Sequence, residues 1–368
     1  MEIRMSNKIF SLTSAIMFGG SVAFADVPKV VADIAPVHSL VARVMNGVGN
    51  PNLIIPAAAS PHDYQMRPSE ARSIQDADII FWMGEDLTPW LSKALSSLAE
   101  GTPVSTLLEV DGIDLLDFRE GALFEAHDDH KDDDDHDDHK DHDDHDDHDD
   151  HDDHDDHDDH KDDDDHDDHD DHDDHKDDDD HDDHDDHKDD DDHDGHNHGD
   201  HDPHAWLSPT IAKVWLNEIA AKLSAIDPDN AGAYFSNAAS AKQDLDSMSV
   251  EINMLLDPIR DKKFVVFHDA YQYFEKDFNI SASGAISLGD ASNPSPARLA
   301  EVRDRVIDES IQCVLAEPQF NKGLVTAVVE GTDANTAVID PLGVGLDIGP
   351  LLYEDLIRKL ASNLAKCF

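Results

Sequence analysis

The sequence predicts an α/β protein with two lobes, each built on a mostly parallel sheet, joined by one long linking helix with a cleft between the lobes. Three observations carry this. Short apolar runs alternate with amphipathic stretches in two separate series along the chain. Between the series lies a stretch of helical spacing with no Pro from Asn230 to Asp257. Several residues able to do chemistry fall just after the apolar runs, where open α/β sheets bind ligands.

The elements follow in order. "KVVADIAP" reads as a strand and "HSLVARVMNGV" as a helix; "NLIIP" is a short strand. "SEARSIQDA" is a helix leading into the strand "DIIFWMG", and "TPWLSKALSSLAE" is the next helix. After a long polar interruption, "SPTIAKVWLNEIAAKLSAI" opens a helix with Pro in its first turn. The linking helix is expected over 229–257. In the second series "KFVVFH", "ISASGAI", "CVLAEP" and "TAVID" read as strands. The stretches between them, and the closing "GPLLYEDLIRKLASNLAK", read as helices. The boundaries are then an N-terminal lobe over 26–228, the linking helix, and a C-terminal lobe over 258–368.

The interruption is a tract of low complexity. From His127 to His201 it holds 22 His, 45 Asp and 5 Lys, a net −40 that leaves only −18 of the formal −58 for the rest of the chain. It contains no apolar residue, so it cannot bury a core, and neighbouring Asp charges oppose a helix. The tract reads as a disordered loop inserted between two elements of the first lobe. The anionic balance argues against nucleic acid and anionic membranes and agrees with cations.

Arg4 and Lys8, the apolar run "IFSLTSAIMFGGSVAF" and the A-x-A site Ala23-Phe24-Ala25 form an export signal over 1–25, cleaved after Ala25. The mature protein is expected outside the cytoplasm, in a Gram-negative periplasm. The two cysteines, Cys313 and Cys367, then read as a disulfide fastening the last helix to the strand around Cys313. A cysteine metal or catalytic site is the weaker alternative, because Cys367 is one residue from the end of the chain.

Four His lie outside the tract. His62 is in the Pro-flanked loop "SPHDYQMRPS", His204 precedes a helix in "DPHAWLSP", and His268 ends the strand "KFVVFH". Asp340 ends another strand before a Pro-Leu-Gly turn. Three neutral imidazoles and one carboxylate suit tetrahedral Zn(II), with Cu(II) and Ni(II) as chemical competitors. Mn(II) prefers more oxygen. These four residues make the interlobe cleft a metal cleft. The fourth, His38, lies on the first helix and is not read as a ligand.

The ordered stretches "SPHDYQMRPS", "DPHAWLSP", "FHDAYQYF", "AEPQF" and "DPLG" resemble the periplasmic zinc-binding proteins of ABC importers, the ZnuA type, over essentially all of the mature chain except the tract. The resemblance implies high-affinity binding of Zn(II) as transported ligand and no enzymatic activity. It implies permease and ATPase partners in the membrane and a monomer. Its metal ligands fall on His62, His204 and His268, with Asp340 as a further carboxylate. Where manganese relatives carry Glu, this chain has His268. Where some zinc members carry a Glu ligand before the first His, it has Pro61, which leaves the fourth position to Asp340 or a water. The resemblance also implies the Cys313–Cys367 bridge. The tract then reads as a low-affinity zinc collector serving the cleft. The rival readings are a periplasmic metal buffer or chaperone, an importer component for Mn or Ni, and a zinc hydrolase, although no H-E-x-x-H motif is present.

Overall fold

A computed structural model describes residues 27–119, 124, 201–287 and 294–368. The expected export signal and nearly all of the tract lie outside these residues. The chain runs β1 (Val30–Ala32), α1 (Ala35–Val44), β2 (Asn52–Leu53), α2 (Pro68–Gln75), β3 (Ile79–Trp82), α3 (Pro89–Leu98) and β4 (Val104–Thr106). After the tract come α4 (Pro209–Ile226) and α5 (Ala231–Leu256). The second series is β5 (Phe264–Val265), α6 (Gln272–Phe278), α7 (Pro296–Asp308), β6 (Cys313–Ala316), α8 (Lys322–Val329), β7 (Asn335–Val338) and α9 (Leu352–Lys366).

The strands form two parallel sheets, ordered β2-β1-β3-β4 and β5-β6-β7. β1, β3, β5 and β6 are buried along their whole length, as strands covered on both faces must be. Proline occupies the first turn of α1, α2, α3, α4 and α7. Its fixed φ suits a helix start and its missing N–H is not needed there. In such parallel sheets the loops from strand to helix lie at the carboxyl ends of the strands. Asp33, fully buried at the exit of β1, accepts the N–H of Ile34 and of Met83, each at 2.7 Å. Burial pushes its carboxyl up to about 7.

Three expectations shift. The first helix starts at Ala35, before His38, because Pro36 in its first turn favours an earlier start. "ISASGAI" lies along β5 with backbone hydrogen bonds from Ser283 to Phe264 and from Ile286 to Val266, but forms only an isolated bridge, Val266 to Ala285, where Gly284 takes a positive φ. β4, a three-residue edge strand, is too short to show a periodicity in the sequence.

α5 buries a stripe of Tyr234, Ala238, Ala241, Leu245, Met248, Ile252 and Leu256, spaced by three, four or seven residues as one helix face requires. It packs on α4 and α1 from the first series and on α9 from the second. α9 also returns to pack on α1, where the Tyr353 N–H donates to Ser39 Oγ at 2.9 Å. The Tyr353 hydroxyl donates to the Trp206 carbonyl at 2.9 Å, and Trp206 Nε1 donates to the Pro341 carbonyl at 2.8 Å. The two sheets are thus joined by two helices and by buried hydrogen bonds, and all the described elements fall in one compact unit.

Cys313 and Cys367 are bridged, with Cα atoms 5.8 Å apart, and both are buried. The bridge closes a 54-residue separation and ties the end of α9 to β6. By loop-closure entropy, Cys313→Ser/Cys367→Ser is expected to lose about 4 kcal/mol of unfolding free energy. Denaturant melts of the metal-free protein check this.

Candidate metal centre

Each of three histidines is delivered by a different piece of chain. His62 sits on the loop between β2 and α2, half-buried. The Pro61 carbonyl accepts Trp90 Nε1 at 2.8 Å, and Ser60 Oγ accepts the His62 N–H at 3.3 Å. His204 precedes the 3-10 turn Ala205–Leu207 and then α4, whose first turn is capped by Ser208 Oγ accepting the Ile211 N–H at 3.0 Å. His268 follows β5. In the register that pairs Val265 with Val314, His268 and Glu317 lie equally far beyond the pair, at adjacent strand ends.

The three rings converge. The His62 and His204 ring centroids are 5.6 Å apart and those of His204 and His268 are 5.4 Å apart. One nitrogen of each lies within 4.8 Å of the others. Tetrahedral zinc at about 2.05 Å per Zn–N bond needs those nitrogens roughly 3.3 Å apart, so closing on an ion takes shifts of about an ångström.

Two buried carboxylates set the rings. Asp202 Oδ1 accepts His204 Nδ1 at 2.7 Å and the His204 N–H at 2.9 Å. Glu317 Oε1 accepts His268 Nδ1 at 2.7 Å. An ionised carboxylate only accepts, so each Nδ1 carries the proton and each Nε2 offers its lone pair. Both carboxylates are at most 1% exposed and add two negative charges behind the rings, matching a divalent ion in front of them. Pro61, Trp206, Phe320, Pro341 and Leu342 give the pocket a largely apolar wall. Phe320 stacks on Phe267 with centroids 4.5 Å apart and meets the His268 ring edge-on at 5.2 Å. The Tyr271 hydroxyl is pushed well above its ordinary pKa, first by full burial and then by the charges of Glu317 and Asp340, so it stays neutral beside the site.

This convergence can be set beside known proteins. The family model described as "Zinc-uptake complex component A periplasmic" matches residues 30–367, nearly the whole described chain. The chain belongs to this family. It is 42% identical over 358 residues to the Brucella abortus high-affinity zinc uptake system protein ZnuA, covering 97% of both chains. It is 42% identical over 357 residues to the Paracoccus denitrificans protein of the same name, covering 97% of this chain and 96% of the relative. The Haemophilus influenzae relative is 34% identical over 360 residues, with 98% of both covered. In fold, the chain is similar to a crystal structure of ZnuA at a TM-score of 0.65 and 18% identity, covering 93% of this chain and 99% of that one. It is similar to a zinc-bound 138-173 deletion mutant of ZnuA at 0.64 and 19%, covering 93% and 98%.

Of the four expected ligands, the structure brings together His62, His204 and His268, and Asp340 does not join them. The carboxylate of Asp340 instead holds its own turn. Oδ1 accepts the Leu342 N–H at 3.0 Å and Gln319 Nε2 at 2.9 Å, and Oδ2 accepts the Val344 N–H. An Asp before a Pro-Leu-Gly turn finds backbone donors nearby, and this local demand outweighs the site. His38 is also separate. It is buried on α1 with Nε2 3.0 Å from the Pro51 carbonyl, and burial holds its pKa below the ordinary imidazole value.

Asp202 and Glu317 went unassigned in the sequence. Asp202 has a signal, an Asp two residues before a candidate ligand. Glu317 is 49 residues from His268 and becomes its partner only through strand order. Asp202→Asn and Glu317→Gln keep the side-chain shape and remove the charge behind each ring. Each is expected to weaken zinc binding about 10- to 100-fold, read by competition with a chelator of known affinity.

Proposed function

We propose that the protein holds one Zn(II) ion on His62, His204 and His268, outside the cytoplasm, and delivers it to the membrane permease and ATPase of an ABC importer. The observation that carries this reading is the convergence of three imidazoles from far apart in the chain, two of them backed by buried carboxylates. Membership of a zinc-uptake family supports the same cargo and makes the chain a transport component rather than an enzyme. Among the described residues, no helix is long and apolar enough to cross a membrane. A water, or a small turn of Asp340, completes the shell, and the protein works as a monomer. Three nitrogen donors and a largely apolar wall favour zinc over manganese. The two carboxylates nearest the rings are already engaged by His204 and His268, so neither is placed to serve as the general base of a hydrolase.

Delivery requires that a tightly held ion can leave. His62 is the more exposed of the three ligands and rides a loop, while His204 and His268 are buried. Release starts at His62. Zinc titration of the mature protein beside His62→Ala, His204→Ala and His268→Ala tests the site, and each variant is expected to lose the single tight ion. Tight binding that survives all three substitutions would place the site elsewhere. Binding uses unprotonated ring nitrogens, so in the same titration affinity falls as the solution is made more acidic.

The tract supplies many weak sites tethered to the same molecule and raises zinc concentration nearby. Removing residues 127–195 is expected to leave the one tight ion in place and to slow loading at limiting zinc. Unchanged loading would reduce the tract to a spacer.

A further inference from the structure

The chain shortly before the tract and the chain at its far end are fastened to each other and to the helix that follows His268. Asp117 and His201 form an antiparallel bridge, and the Asp202 N–H donates to the Leu116 carbonyl at 2.8 Å. Gln272, the first residue of α6, donates from Nε2 to the Asp117 carbonyl at 3.0 Å and to Asp202 Oδ2 at 3.2 Å. The Tyr273 hydroxyl accepts the Leu116 N–H at 3.0 Å and donates to the Asp202 carbonyl at 2.8 Å. Asp202 therefore holds His204 with one oxygen and α6 with the other.

Two residues past the bridge, Arg119 reaches further. Its Nε donates to both oxygens of Asp269, at 3.1 and 2.9 Å, and Nη2 donates to Asp269 Oδ1. Nη1 and Nη2 donate to the two oxygens of Glu275 at 2.8 and 3.0 Å. The guanidinium lies 3.6 Å above the Phe124 ring. Asp269 is next in sequence to His268, and Glu275 lies in α6, so one cation ties the residue after His268 to the helix that follows it. The cluster is nearly closed to solvent, with side chains 18%, 13% and 6% exposed for Arg119, Asp269 and Glu275.

Stability is a poor account of such a cluster. Three charges taken out of water cost about as much as their attraction returns, and apolar residues of the same size pack as well. What a planar, five-donor fork supplies is orientation.

We propose that Arg119 is a positioning residue for the zinc site: by clamping Asp269 and Glu275 it fixes the His268 turn against His204 and slows departure of the ion. The inference rests on the proposed zinc site. It makes His204 and His268 a braced pair, one through Asp202 and Gln272, the other through Asp269 and Arg119, with both braces meeting at the base of the insertion.

The test is the rate at which zinc leaves the full chain into excess chelator, followed by tryptophan fluorescence. Trp206 lines the pocket, its ring centroid 5.1 Å from that of His204, and the tract contains no Trp, so the zinc-dependent change in fluorescence comes from the folded body and not from the tract. Arg119→Ala is expected to release zinc about tenfold faster than the unmodified protein, the scale on which outer partners of a ligand act. Arg119→Lys, which keeps the charge without the fork, falls between. Arg43→Ala, which removes the ion pair between α1 and Asp244 of α5 outside the pocket, should keep the original rate. Melting temperatures are measured for all.

An unchanged rate in Arg119→Ala overturns the proposal. So does equal acceleration in Arg43→Ala at an equal loss of melting temperature. If Arg119→Ala fails to fold, Asp269→Asn opens the same clamp, and an unchanged rate there is equally fatal. His268→Ala separates the two levels. Slow release that survives it removes the zinc site itself, whereas an unaltered rate confined to the Arg119 and Asp269 variants removes only the clamp.

Discussion

Three imidazoles can share one ion only if each turns an unprotonated nitrogen toward the same point. In this protein two buried carboxylates impose that condition. Asp202 and Glu317 accept hydrogen bonds from Nδ1–H of His204 and His268 and thereby settle both tautomer and ring direction. Much of the surrounding architecture serves those two contacts. Parallel pairing of β5 with β6 sets Glu317 beside His268, and the bridge at the base of the tract carries Asp202 to His204. An isolated buried carboxylate would be costly, and each here is made tolerable by the ring it holds.

The frame around the rings resists wide opening. Separating the two sheets would break the Trp206–Pro341, Tyr353–Trp206 and Tyr353–Ser39 hydrogen bonds. Leaving such buried groups unpaired costs about 1–3 kcal/mol each, before any apolar surface is exposed. The His62 loop, by contrast, is half-exposed, with Trp90 Nε1 donating to the Pro61 carbonyl and the His62 N–H donating to Ser60 Oγ.

The α/β class and the long helix were legible because α4, α5 and α9 are long enough for periodicity to speak. His62, His204 and His268 were legible because few histidines lie outside the tract and these three sit at strand ends or beside prolines. What failed to show was anything decided through space. Glu317 meets His268 across 49 positions and Arg119 meets Asp269 across 150. Asp340 looked like a ligand by strand-end position, but backbone amides two and four residues ahead claim its carboxylate. That competition depends on turn geometry, which residue types alone do not state. The stretch "ISASGAI" runs beside β5 with backbone hydrogen bonds from Ser283 to Phe264 and from Ile286 to Val266, but forms only the bridge Val266 to Ala285 rather than a full strand.

The bridge between Asp117 and His201 has an evolutionary corollary. It seals the base of the acidic insertion, so the folded body meets the same two anchored ends whatever lies between them. Doubling the span between two fixed ends adds only about 0.6 kcal/mol of loop-closure cost. A run of "HDD" triplets in the sequence can therefore lengthen or shorten by replication slippage while the two anchors stay paired.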